Sequence, residues 1–195
     1  MPQVISINPY TGKQVDSITP HSETEVQNIL QNSDNQFYKW RIVSFDERKK
    51  LVLNVASNLR KNKNKYANKI TDEIGKPISQ SIAEVEKCAW LCEYYAENAE
   101  DHLKKESIKT DAYKSYTTFE PLGIILAIMP WNFPFWQVFR FAIPTLMAGN
   151  VCILKHASNV FGSALNIEEI FLQSRFPKYC FSTLLIGSTS IKSIL

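Results

Sequence analysis

The chain has 195 residues, of which 45% are hydrophobic and 21% charged, ordinary usage for a folding protein with room for one domain or a cramped two. Its 22 basic and 19 acidic residues leave a net charge of +3, too mild to mark a nucleic-acid or membrane partner. The four cysteines, Cys88, Cys92, Cys152 and Cys180, are scattered without a CxxC pair, which fits reduced thiols in the cytoplasm better than a disulfide framework.

The first ten residues carry no basic side chain and no apolar core, so no signal peptide is expected. "VISI" and "KQVDS" flank "NPYTG", and the Asn-Pro and Thr-Gly pairs predict a turn between two short strands. "SETE" (22–25) and "SFDE" (44–47) each fit a capping box opening a helix. A third helix is expected over about 65–74, stopped by Gly75 with Pro77 beyond. The basic stretch 59–69 lies at these helix ends and has little aromatic interleaving, so a solvated face is the commoner reading and a nucleic-acid surface the rarer one.

From 79 to about 102 the apolar positions Ile82, Val85, Ala89, Cys92, Ala96 and Ala99 recur at helical spacing and predict one long amphipathic helix. Cys88 and Cys92 share a face of it with His102 ten residues on. That set permits a metal site, although the same positions belong to the apolar stripe. "YKSYTTFE" then alternates like a strand.

Residues 121–139 are uncharged, yet Pro130, Asn132, Pro134 and Gln137 interrupt them too densely for a membrane helix. "GIILAIM", "VCILK" and "CFSTLLIG" are apolar runs of strand length, separated by helical stretches at 135–150, ending at Gly149-Asn150, and about 162–173. This is the pattern of a parallel sheet with crossover helices. Ser188 or Ser190 is placed to cap a further helix whose stripe begins with Ile191, Ile194 and Leu195.

Ligands of parallel sheets sit beyond the carboxyl ends of the strands, and "MPWN" and "KHASN" both fall there. Asn132 offers an amide N–H to an oxygen that turns negative, and Lys155 offers donors to ribose hydroxyls or phosphates. Packing alone also accounts for Trp and Pro at a strand end. No GxGxxG or GxxxxGK loop occurs, so a dinucleotide needs another grip.

The segment "PLGIILAIMPWNFPFWQVFRFAIPTLMAGNVCILKHASN", with "NPYTG" and "EIGKPISQSIAEV", resembles the cofactor-binding half of the aldehyde dehydrogenase superfamily, most of all its bacterial succinate-semialdehyde dehydrogenases. The resemblance implies an α/β fold, an N-terminal helical segment (1–106) and a strand segment of the assembly region (107–120). An incomplete Rossmann-like parallel sheet (121–195) would follow, with the catalytic domain absent. It implies NAD or NADP as cofactor, an aldehyde as substrate, and oligomers in the full-length family.

By the same resemblance Asn132 is the oxyanion donor, Met129, Pro130 and Trp131 line the nicotinamide end, Lys155 holds the adenosine ribose, and Gly187 belongs to the adenine-pocket region of the cofactor site. Ser158 stands where many NAD-specific relatives carry glutamate, so a 2′-phosphate meets no repulsion there and NADP is admitted. Arg140 matches an arginine that binds the far carboxylate of the substrate. A guanidinium set between apolar runs also needs pairing on general grounds, by such a carboxylate or by an internal acid such as Glu120. None of the four cysteines has the context of the family's nucleophile. Two readings result: an N-terminal piece that is active when a separately encoded C-terminal piece completes it, or a non-catalytic remnant that at most binds nucleotide.

Overall fold

The computed structural model describes residues 3–193. β1 (Val4–Ile7) and β2 (Gln14–Ile18) form an antiparallel hairpin, with a register shift at Ser6/Ile7. Four helices follow: α1 (Glu23–Trp40), α2 (Phe45–Lys61), α3 (Lys63–Ile74) and α4 (Ile78–His102).

The Ser22 box is complete: the hydroxyl takes the Glu25 N–H and the Glu25 carboxylate takes the Ser22 N–H. At Ser44 half of the expected box forms. Its hydroxyl accepts from Glu47 N at 3.3 Å, and the Glu47 carboxylate does not return the bond. The expected strand in "YKSYTTFE" shrinks to β4 (Tyr116–Thr117), paired with β3 (Glu106–Ser107). Both strands are exposed on every residue. Without a buried face the alternation has nothing to pack against.

β5 (Ile124–Met129), β6 (Val151–His156) and β7 (Phe181–Thr183) form a parallel sheet in the order β5-β6-β7, joined by α5 (Trp136–Met147) and α6 (Phe161–Gln173). The fold is α/β, as expected. β6 is buried at every position, as a central parallel strand must be. Its side chains alternate: Cys152 and Leu154 join the main core with α4, α5 and α6, while Ile153 packs with Val26, Leu184 and Ile186 on the α1 face. By the same alternation His156 points toward the α5 side and Lys155 toward the α1 side. After β7 the chain makes a 3-10 turn over Ser188–Ser193 in place of the expected α-helix start. The expected positions Ile194 and Leu195 lie outside the described residues.

Four of the five cations in the basic stretch 59–69 are paired within the protein, Lys61 being the exception among the described residues. Arg60 bonds Glu93 and Glu86, Lys63 bonds Glu86, Lys65 bonds Glu169, and Lys69 reaches Asp16. Cys88 and Cys92 are core residues, and His102 lies against the rings of Tyr94 and Tyr95. Among the described residues, no group of three or more His, Cys, Asp and Glu gathers as a metal-binding set. Likewise, no helix among them is long and apolar enough to cross a membrane.

The C-terminal end of α5 is held from the helical layer. The Trp40 indole N–H donates to Leu146 O at 3.0 Å, and the buried Arg48 guanidinium donates to Met147 O at 2.9 Å as well as to the carbonyls of Trp40 and Arg41. Gly149 makes this fit possible. It turns with φ +91, and a Cβ there would lie 2.9 Å from an Arg48 nitrogen. Gly149→Ala combines left-handed strain with a displaced buried cation, so it is expected to lower unfolding free energy by about 2 kcal/mol, read as a lower urea midpoint with an unchanged slope.

Candidate functional site

Parallel pairing of β5 with β6 sets Ile128 beside Lys155 and Met129 beside His156. The "MPWN" and "KHASN" segments therefore leave the sheet side by side. Ala157 N–H donates to Met129 O at 3.0 Å and also lies 3.0 Å from His156 Nδ1, while His156 Nε2 is 2.9 Å from Pro134 O. Nδ1 also lies 3.2 Å from Met129 O, but Ala157 N–H gives it a donor, whereas Nε2 faces only the Pro134 carbonyl. The neutral tautomer that satisfies both nitrogens carries its proton on Nε2 and accepts at Nδ1. Burial, the larger influence, lowers the His156 pKa from the ordinary histidine range. The neutral ring thus ties the end of β6 to the far side of the loop that carries Asn132.

That loop is held from a second side. α5 has no side-chain cap of its own, since Phe135 occupies the N-cap position. The Glu84 carboxylate on α4 supplies the cap, accepting the backbone N–H of Phe135 at 2.9 Å and of Trp136 at 3.0 Å. Lys76 Nζ donates to its other oxygen, in an ion pair whose side chains are 10% and 2% exposed.

α6 repeats the arrangement. Val160 provides no side-chain cap, and Glu73 on α3 accepts from Gly162 N at 2.8 Å, Ser163 N at 2.9 Å and Ser163 Oγ at 2.6 Å. A Cβ at position 162 would come within 2.7 Å of the Glu73 oxygen, so only glycine admits so close an approach. Burial pushes the Glu73 carboxyl above its ordinary range, against the pull of those hydrogen bonds. Glu168 on α6 accepts from Thr183 N at 3.0 Å and fixes the end of β7.

The residues expected at the site divide as follows. Met129 is partly buried with its carbonyl engaged, and Pro130, Trp131 and Asn132 are exposed on the loop. Lys155 is buried, burial lowers its pKa, and no carboxylate pairs with it among the described residues. Ser158 is exposed at the start of a short 3-10 turn, Ser158–Val160. A cleft at this end is lined by His156, Ala157, Ser158, Thr183, Leu185 and Ile186, and the exposed Gly187 follows Ile186 in the chain without lining it.

These residues gather at one end of the sheet. Arg140 does not join them, and the expectation that it is enclosed by apolar runs is corrected. It is exposed on the outer face of α5, because the 100° step of a helix turns residue 140 outward between its inward neighbours. Glu120 is not its partner and instead faces Arg41 at 3.9 Å.

Glu84, Glu73 and His156 escaped the reading of the sequence. The available signal was negative: neither Phe135 nor Val160, directly before a helix, can cap it. The four thiols are all buried. Burial raises each thiol pKa, that of Cys180 to about 12, so none is a ready thiolate.

The model of the "Aldehyde dehydrogenase family" matches residues 2–194. A "Probable succinate-semialdehyde dehydrogenase [NADP(+)]" of Synechocystis sp. is 49% identical over 184 residues, covering 94% of this chain and 40% of the relative. "Succinate-semialdehyde dehydrogenase [NADP(+)] 1" of Mycobacterium bovis is 42% identical, over 98% of this chain and 43% of the relative. The solved structure of succinic semialdehyde dehydrogenase from Streptococcus pyogenes in complex with NADP+ superposes with a TM-score of 0.95 at 31% identity, over 98% of this chain and 42% of that one. The chain thus spans about two fifths of the length of the relatives it matches.

Two outcomes test this geometry. Glu84→Ala leaves the Lys76 ammonium and two backbone amides without their acceptor, and is expected to cost about 3 kcal/mol in urea unfolding. For His156, a lowered folded pKa means that the unfolded chain binds more protons between that value and about 6.5. Stability therefore rises with pH across that window and is lost as pH falls through it. The melting temperature is expected to drop below pH 6.5 more steeply in the parent than in His156→Gln. The partly buried His21, also lowered by burial, leaves a residual slope in the variant.

Proposed function

The chain belongs to the aldehyde dehydrogenase family, and from that premise we propose that it forms the NADP-binding and oxyanion-stabilising part of an enzyme oxidising succinate semialdehyde to succinate. The observation that carries this reading is the adjacency of the Asn132 loop and Lys155 at the ends of paired strands, with His156 tying the two segments. The names of the relatives, two of them NADP-dependent succinate-semialdehyde dehydrogenases, favour the same substrate and cofactor.

The residues present fit such a dinucleotide. Lys155 carries an ammonium without a carboxylate partner, suited to ribose hydroxyls and phosphate. Ser158 is small and uncharged where a carboxylate would repel a 2′-phosphate, so NADP is accepted at least as well as NAD. Gly187, exposed directly after Ile186 of the cleft, would lie on the nucleotide's path, and Met129, Pro130 and Trp131 would border the nicotinamide end. NADP, when bound, supplies the hydride acceptor. Asn132, exposed on a loop pinned by Glu84 and His156, points a neutral N–H donor at the aldehyde oxygen as negative charge builds there, and a donor fixed in advance need not reorganise during the reaction. Arg140 holds the far carboxylate of the substrate from the surface of α5.

The reaction also needs a thiolate and a general base. The four buried cysteines of this chain are poor sources of the thiolate, so the reading assigns it to further polypeptide, covalently continuous or separately made. The buried reduced thiols are consistent with work in the cytoplasm.

Calorimetric titration tests the reading. NADP is expected to bind saturably, and Lys155→Ala to weaken it about tenfold by removing one charge-assisted contact. Heats indistinguishable from dilution for both NAD and NADP would overturn it. The chain alone is expected to yield no NADPH from succinate semialdehyde.

A further inference from the structure

The face of α5 that carries Arg140 meets a second cation. Lys87, exposed on α4, sets its ammonium 3.9 Å from the centroid of the Trp136 ring. Trp136 stands four residues before Arg140, so the two share one face of α5 with Cβ atoms about 6 Å apart. The indole thus lies between a lysine held over its ring and an arginine one turn along.

Every nearby cation of the helical layer is already taken. Arg60 and Lys63 bond Glu86 and Glu93, Lys76 bonds Glu84, and Arg41 faces Glu120. Lys87 and Arg140 have no carboxylate partner among the described residues. Two like charges from different helices, gathered near one aromatic ring, favour the arrival of an anion.

Lys87 and Trp136 also line a cleft with Lys76, Gln80, Ala83, Glu84 and Phe133, in which Lys76 and Glu84 neutralise each other as an ion pair. Phe133 directly follows Asn132, so the cleft lies between the Asn132 loop and Lys87, with Arg140 one turn of α5 beyond Trp136. That arrangement suits a short molecule with a carbonyl at one end and a carboxylate at the other.

We propose that Lys87 is the second cation of a carboxylate subsite, formed with Arg140 across Trp136, that selects aldehydes with a terminal carboxylate over neutral ones. The proposal rests on the reading of Arg140 given above and adds a residue from a different helix. The guanidinium offers a planar fork of donors and the ammonium a point charge. The indole steers the flexible lysine by cation–π attraction and excludes water beneath it. Neutral aldehydes gain nothing from either charge and leave both unpaired.

The test is a nuclear magnetic resonance titration of the whole chain with succinate, followed at the Trp136 indole N–H, assigned by its loss in Trp136→Phe. Succinamide, of similar size and uncharged, is the control. Succinate is expected to shift the Trp136 signal saturably and succinamide to leave it in place. Lys87→Ala should weaken succinate binding about fivefold, in line with one exposed charge contact, and Arg140→Ala at least as much. Lys87→Arg should restore most of it. Succinate binding in Lys87→Ala equal to the parent's, or equal shifts from succinate and succinamide, would overturn the proposal. NADP titrated into the same samples reports on the nucleotide cleft separately. Retained NADP binding with no effect of Lys87→Ala refutes the subsite alone, and absent NADP binding refutes the broader reading.

Discussion

Helix α5 is held at both ends by groups that are not its own, and the candidate site depends on that arrangement. A helix starts with free N–H groups and ends with free carbonyls, and its dipole favours an anion at the first end and a cation at the last. Glu84 meets the amides of Phe135 and Trp136, while Arg48 and Trp40 meet the carbonyls of Met147 and Leu146. All three come from the helical layer. The sheet and that layer are therefore joined by directional bonds as well as by apolar contact, and α5 has one permitted height and rotation.

The consequence reaches the loop between β5 and α5. Its far end is fixed by Glu84 and by His156 donating to Pro134, and its near end by the bond from Ala157 to Met129. Asn132 is exposed, yet the backbone on both sides of it is tied. Such a donor loses little entropy when a ligand arrives, which is the condition for stabilising charge that exists only briefly. Desolvating a carboxylate costs several kcal/mol. At Glu84 a lysine and two helix amides offset that cost. Glu73 repeats the solution with two amides and a hydroxyl, without a close lysine partner, and its carboxyl is pushed up by burial.

Much of the frame was legible in the sequence because its causes are local. Ser22 and Glu25 are three residues apart, Gly75 and Pro77 stop α3 where expected, and the three apolar runs of strand length hold the three parallel strands, the third shortened to Phe181–Thr183. The ties that set the site are of another kind. Glu84 is 51 residues from Phe135 and Glu73 is 89 from Gly162, and each reads in sequence as one more polar position on an amphipathic helix. His156 sits inside a recognised motif, but its partners depend on strand pairing. The misjudged setting of Arg140 had a local remedy, since the phase of α5 already turns it away from Phe139 and Ala142. The shortened β4 had none, because alternation alone does not reveal whether a face is covered.

Amide hydrogen exchange, measured residue by residue on the ligand-free chain and on Glu84→Gln, tests most directly whether the helical layer fixes the loop before any ligand arrives. In the parent, the N–H groups of Phe135 and Trp136 should be protected as strongly as those of β6. In the variant that protection should fall at Phe135 and Trp136 and persist at Gly162 and Ser163, which Glu73 holds. Exchange at Phe135 and Trp136 in the parent as fast as in the exposed 108–115 segment would contradict the account, since the loop would then be ordered by its ligand and not by the fold.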